Sequence, residues 1–220
     1  MALLLDMRKT PIPFLPLFIF AAFTTGLNSK HNSCPHSLIY IHALKIFLLQ
    51  KDDRLDAVHK FVSYLGWIED GFPAIAILLV FASLLFSGKM KGINEINKIP
   101  TLEGAEKYCK NITWDFLYAH GYCKLIEGKD EVWFFVACDT RLREILENFM
   151  IDRRKVDSDS FVENMLCSHW KRNRVERIFE KYQHTENIVN SRGGEQLTQS
   201  HDKIKNDLEH NIKLHFAQSQ

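Results

Sequence analysis

The chain has 220 residues, of which 46% are hydrophobic and 25% are charged, and its formal net charge at pH 7 is +1. This balance does not favour nucleic acid as a partner, because proteins that bind nucleic-acid phosphates carry a clear excess of basic residues. The five cysteines are odd in number and irregularly spaced, which is not the pattern of a disulfide framework or of a paired CxxC zinc site.

A first apolar segment covers residues 11–28 and follows a short basic region over residues 1–10, in which Arg8 and Lys9 stand just before it. Its densest part, residues 14–23, has the length of the hydrophobic region of a signal peptide. The uncharged stretch is also long enough to remain as an uncleaved membrane anchor. We therefore predict either a transmembrane helix or a signal peptide, and the sequence leaves both interpretations open.

A second apolar segment, residues 71–88, contains eighteen residues without a charge. At about 1.5 Å of rise per residue, such a helix would extend roughly 27 Å, close to the thickness of the hydrocarbon layer of a thin bilayer. Lys89 and Lys91 follow it, and basic residues prefer the cytoplasmic side of a membrane. This predicts a transmembrane helix that leaves the N-terminus and the C-terminal domain in the cytoplasm.

The loop between the two apolar segments, residues 29–70, is then expected outside the cytoplasm. It contains an apolar stretch over residues 37–50, which is too short to span a bilayer and which we expect to lie on the membrane surface or against the spanning helices. Residues 55–67 repeat apolar side chains at helical spacing. We predict amphipathic helices in this loop.

A linker over residues 89–100 leads to a predicted cytoplasmic α+β domain over residues 101–189. Thr101 is a good N-cap for a helix that ends at Gly121. The next piece, with apolar runs at 122–127 and 131–138 around a turn, indicates a β-hairpin.

A helix over 141–150 and a long helix from about 157 to 187 follow the predicted hairpin. Residues 190–220 form a flexible or amphipathic tail by composition. The predicted fold class is a membrane-anchored α+β protein: one or two N-terminal transmembrane helices, then a mainly helical domain with one β-hairpin.

Candidate catalytic groups are cysteines with a histidine or acid near them in sequence, because a thiol nucleophile needs a base. Sequence adjacency is a weak indication of spatial adjacency. The sequence contains no P-loop, GxGxxG, HExxH or GxSxG motif, and no cofactor is expected. The weak candidates are His120, Cys123, Cys138, Cys167 and His169.

A possible metal-binding group lies at the start of the predicted loop. His31, Cys34 and His36 offer three nitrogen and sulfur ligands within six residues. Their spacing matches no standard ligand pattern, so we treat them as weak metal candidates.

Two basic groups are candidates for contact with anionic lipid or an acidic partner. Near the surface of an anionic membrane each cation contributes about 1 kcal/mol, so a tethered cluster matters at short range. The alternative is an ordinary solvated helix face. The groups consist of Arg153, Arg154 and Lys155, and of Lys171, Arg172 and Arg174.

The leading functional hypothesis follows by elimination. We expect a non-enzymatic integral-membrane subunit or scaffold of a membrane-bound assembly, such as a secretion, transport or organelle-membrane complex, which binds protein partners through its cytoplasmic domain. One alternative is a membrane-anchored enzyme with a cysteine or histidine centre in residues 101–187. Another is a secreted effector that is targeted to a membrane.

Overall fold

The computed structural model describes residues 35–90, 96–126, 140–153, 158–192 and 201–218. Within these ranges the chain forms only helices, and no described residue lies in a β-strand. The helices are α1 (Pro35–Lys51), α2 (Ala57–Glu69), α3 (Ala76–Ser87), α4 (Leu102–Ile126), α5 (Thr140–Arg153), α6 (Ser158–His169), α7 (Arg172–Ser191) and α8 (His201–Ala217).

The predicted α+β class is therefore wrong, and the described part of the chain is a helical bundle. α3 lies at its centre, in contact with α1, α2, α4, α5 and α6. Every residue from Ile77 to Phe86 is buried. A helix that is apolar on all sides must be surrounded either by lipid or by protein, and the neighbouring helices surround α3.

The predicted transmembrane helix over residues 71–88 is thus a core helix of twelve residues. Its first residues are not helical: Gly71 has φ 116°, and Ile75 precedes the helix in an extended conformation. Gly88, at φ 76°, ends α3 in the left-handed region, where glycine meets no steric penalty. None of the described helices combines the length and the apolar character that crossing a bilayer requires.

α1 is the second interior helix. It packs on α2, α3, α4 and α8, and its side chains are buried on almost every side from Leu38 to Gln50. Lys60 of α2 donates to the Gln50 carbonyl oxygen at 2.7 Å, and Lys51 donates to the carbonyl oxygens of Asn97 and Ile99 at 3.0 Å each. These lysines satisfy carbonyl groups that would otherwise lack partners at the end of α1 and in the segment before α4.

α4 begins as predicted, because the Thr101 side chain accepts a hydrogen bond from the Gly104 amide at 3.2 Å. It does not end at Gly121 but continues to Ile126, so the first strand of the predicted hairpin is wrong. The second strand, 131–138, lies outside the described residues. A glycine inside a helix costs only about 1 kcal/mol, which the packing of α4 against α1 offsets.

The long helix predicted over 157–187 is two helices. α6 ends at His169, and α7 starts at Arg172 after an extended Lys171. α7 packs on α2, and α5 and α6 pack on α3. The side chains of His169 and Trp170 are both buried at the break.

The predicted tail contains an ordered amphipathic helix, α8, which packs on α1 and α4. Burying an apolar side chain of this size contributes roughly 1.5–3 kcal/mol, so α8 is a stable part of the bundle. Its buried side chains are Ile204, Leu208, Ile212 and Phe216.

Candidate functional site

The predicted catalytic residues lie in different environments. His120 is a half-buried residue of α4, and Cys167 is exposed on α6. Cys123 lies within α4, and Cys138 is outside the described residues. His169 is buried at the end of α6, where its ring contacts a serine that the sequence did not single out.

That serine is Ser83, in the middle of α3. Its Oγ lies 3.0 Å from Nδ1 of His169, and it accepts a hydrogen bond from the indole Nε1 of Trp170 at 2.9 Å. The indole N–H can only donate, so the Ser83 oxygen accepts from Trp170, and the hydroxyl also shares a hydrogen bond with Nδ1 of His169. The three side chains form a hydrogen-bonded network between α3 and the break that separates α6 from α7.

Its surroundings keep His169 neutral. Burial, together with the positive charge of Lys89, lowers the pKa of His169 from 6.5 to about 4. A serine hydrogen-bonded to a neutral histidine resembles the nucleophile and base of a hydrolase. Ser83 is 0% exposed and His169 is 3% exposed, however, so a substrate has no access to either group. The geometry therefore serves to hold the α6–α7 break against α3.

A second buried histidine, His42 of α1, joins three parts of the bundle. Its Nε2 lies 3.0 Å from the carbonyl oxygen of Pro73, and its Nδ1 lies 2.7 Å from the hydroxyl of Tyr64. A carbonyl oxygen can only accept, so Nε2 carries the proton and Nδ1 accepts from the tyrosine. The ring also makes edge contacts with Trp67 and Phe72. Burial lowers the pKa of His42 to about 3, which keeps it neutral.

A polar cluster fixes α7 to the end of α2. Glu69 accepts hydrogen bonds from Lys181 and from the hydroxyl of Thr185, the latter at 2.7 Å. Partial burial is the largest single effect and raises the pKa of Glu69, but the two hydrogen bonds and the nearby charge of Lys181 together lower it by more, so the net shift is downward. The Glu69 carboxylate is therefore ionised at neutral pH and belongs to the structural contact between the helices.

The basic residues at the start of α7, Lys171, Arg172 and Arg174, are exposed. Cations at the N-terminus of a helix face the positive end of its dipole, so this position does not stabilise the helix. Of the other basic group, Arg153 is the last residue of α5, whereas Arg154 and Lys155 lie outside the described residues.

The metal candidates are only partly described. His31 and Cys34 lie outside the described residues, and His36 is the second residue of α1. The His36 ring lies 4.9 Å from the ring of Trp114, centroid to centroid. Among the described residues no group of three or more metal-ligating side chains comes together.

Trp114 and Tyr118 form the surface that sequence reasoning missed, which we call the aromatic face. Trp114 is 48% exposed and Tyr118 is 62% exposed, although the bundle buries most of its large apolar side chains. They lie one helical turn apart on α4, with ring centroids 6.1 Å apart. The sequence does indicate that these two side chains are exposed, because neither falls on the apolar stripe of α4 that contains Cys109, Ile112 and Phe116.

Comparison of the chain with protein-family models, curated proteins and solved structures finds no match.

Proposed function

We propose that this chain is a non-enzymatic subunit of a membrane-associated assembly. In this proposal residues 11–28 attach the chain to the membrane, and the helical bundle is a rigid scaffold that presents a binding surface. The assembly is a secretion, transport or organelle-membrane complex, and no side chain described above distinguishes among these three.

The aromatic face is the observation that carries the proposal. Tryptophan and tyrosine are enriched at binding surfaces because they bury much apolar area and keep a polar atom for hydrogen bonding. Two such side chains in ring contact on a solvent-facing helix surface support a docking role for Trp114 and Tyr118.

The polar centres of the bundle also fit a scaffold. His42 and His169 are buried and hold neighbouring elements together through hydrogen bonds. Buried and satisfied polar networks of this kind help to specify one arrangement of helices, which a scaffold requires. The thiol of Cys109 is buried, and burial raises its pKa, so it is a poor nucleophile.

The membrane part of the proposal is tested by fractionation. The full chain should sediment with membranes and resist extraction at high pH, whereas a variant without residues 11–28 should appear in the soluble fraction. Circular dichroism of the deletion variant should keep the helical signal of the bundle. A full chain that remains soluble would refute the membrane association.

The assembly part is tested by the size of the particle after mild detergent extraction. We expect a complex with a protein mass well above the 25.7 kDa of a single chain. Substituting both Trp114→Ser and Tyr118→Ser should reduce that mass if partners bind the aromatic face. A protein mass of one chain in several mild detergents would refute a stable assembly.

A further inference from the structure

A group of exposed cations surrounds the break between α6 and α7. Lys171 precedes α7, and Arg172 and Arg174 belong to its first turn. Helical side chains lean toward the N-terminus of their helix, so both arginines extend toward this end of α7. Lys89 follows α3, and after burial its charge is the second cause that lowers the pKa of His169, so Lys89 lies near the same break. We call these two lysines and two arginines the basic end.

The basic end has an excess of positive charge. None of its four side chains forms an ion pair or a hydrogen bond with another described residue, and all four are exposed. Glu176 follows Arg172 by one turn, and Glu163 lies six residues before the end of α6. Further along α7, Glu180 balances Arg177. Even with Glu176 counted, the surface has four cations against one carboxylate, in a chain whose net charge is only +1.

The local structure of α7 does not explain these cations. Positive charges in the first turn face the positive end of the helix dipole, and neighbouring like charges repel each other. α7 has no acidic residue in its first turn and no side-chain cap at Lys171. The arrangement therefore reduces the stability of the helix, and a bound group with negative charges would compensate it.

The chemistry of the basic end favours an acidic protein segment as its occupant. The planar guanidinium groups of the two arginines match carboxylates through pairs of parallel hydrogen bonds. Membrane surfaces and single-stranded nucleic acids are instead bound by cations together with exposed aromatic rings. In the described part of the chain the exposed large apolar side chains lie on α4 and α8, and not at the basic end.

We propose that the basic end binds an acidic segment of a protein partner, with the guanidinium groups of Arg172 and Arg174 on its carboxylates. The hydrogen bond from Trp170 to Ser83 holds the adjacent break against α3, so the backbone at the start of α7 is in place before a partner binds. The basic end and the aromatic face belong to different helices, and binding at the basic end does not require the membrane attachment.

The test measures binding of a fluorescein-labelled oligoglutamate peptide to the full chain in a mild neutral detergent, by fluorescence anisotropy. We expect saturable binding that weakens as salt is added, because salt screens exposed charges. Arg172→Gln with Arg174→Gln should weaken it by about fivefold or more. The matched control, Lys203→Gln with Lys213→Gln, removes two exposed cations of α8 and should change the affinity by less than about twofold. Equal weakening by both variants would contradict a specific site.

A charge-reversed variant separates binding from folding. Arg172→Glu with Arg174→Glu should abolish peptide binding and raise the urea midpoint of unfolding, because carboxylates are favourable at the start of a helix. Peptide binding that persists in this variant would refute the inference. A lower urea midpoint would show that the arginines stabilise the fold, which would remove the reason for assigning them to a partner.

Competition identifies the occupant. If oligouridylate or a soluble short-chain phosphatidylglycerol displaces the labelled peptide at a lower concentration than unlabelled oligoglutamate does, the surface serves nucleic acid or lipid, and the inference is wrong. If Trp114→Ser with Tyr118→Ser abolishes peptide binding, the peptide docks on the aromatic face, and the inference is again wrong. If the peptide does not bind at all, the inference fails, whereas the mass of the extracted assembly still tests the proposed function.

Discussion

The bundle should lose stability in mild acid because two of its histidines are buried in neutral form. His42 has its pKa lowered to about 3 and His169 to about 4, from an ordinary value of 6.5. The unfolded chain therefore binds more protons than the folded chain at pH values between these limits. The stability is fully present above pH 6.5 and falls as the pH falls below it, until each folded histidine is protonated.

The magnitude follows from the same values. Between pH 7 and pH 5 each histidine should remove about 2 kcal/mol from the free energy of unfolding, so the two together should remove about 4 kcal/mol. A typical domain has only 5–15 kcal/mol in total, so the effect is large. Asp52, whose pKa is lowered to about 2 mainly by Arg54, changes its contribution below about pH 5, which is outside this window.

The assay is urea unfolding of the full chain in a mild detergent, followed by far-ultraviolet circular dichroism at several pH values. His169→Gln keeps an amide that can donate to or accept from Ser83, and it should halve the loss to about 2 kcal/mol between pH 7 and pH 5. The same substitution at the exposed His210 is the control and should leave the loss at about 4 kcal/mol. Equal pH dependence in the wild type and in His169→Gln would refute the reasoning.

Three further predictions concern single positions, and the first two are checked by the same unfolding assay at pH 7. Ser83→Ala should lower the free energy of unfolding by about 1–3 kcal/mol, because it leaves the buried Trp170 indole without its acceptor; a change below about 0.5 kcal/mol would contradict that role. Gly88→Ala should lower the free energy of unfolding by about 1–2 kcal/mol because the residue has φ 76°, whereas Gly66→Ala inside α2 should raise it by about 0.5–1 kcal/mol. A new Cβ meets no atom within 4 Å at either position, so the difference isolates the backbone conformation. Changes of the same sign at both positions would contradict this explanation. In intact cells a membrane-impermeant maleimide should leave the exposed Cys167 unlabelled if the bundle is cytoplasmic, while labelling would place the bundle on the other side of the membrane.

The amphipathic helices were predictable because their apolar residues recur at helical spacing. α4, with its cap at Thr101, starts where the sequence indicates, and α5 covers the helix predicted over 141–150. The breaks were harder to predict. Gly121 does not end α4, because tertiary packing outweighs a propensity of about 1 kcal/mol. At the other break, Trp170 donates a hydrogen bond to Ser83, which is 87 residues away in the sequence.

The polar centres were only partly predictable. His169 was among the candidates as a possible partner of a cysteine, but its observed partner is a serine on α3. Ser83 is the only polar residue in the stretch from 76 to 86. A single hydroxyl in an apolar helix indicates a specific hydrogen bond, but the sequence does not identify the partner. That information lies in the tertiary packing, so periodicity and spacing could not supply it.

The apolar run over 71–88 shows why length and hydrophobicity do not distinguish a membrane helix from a core helix. Both must be apolar on every side, and the difference lies in what covers them. The tail contained a clue, because the stripe of Ile204, Leu208, Ile212 and Phe216 had no place in a domain limited to 101–189. In the bundle it packs on α1, and the amphipathic helices α5 and α6 likewise pack on α3. Several amphipathic helices therefore had apolar stripes that the predicted domain could not bury. Such an excess indicates that another apolar helix lies inside the bundle and covers them. The run over 71–88 fits the role of this interior helix, because it has no charge, is barely long enough to span a bilayer and begins with Gly71 and Pro73.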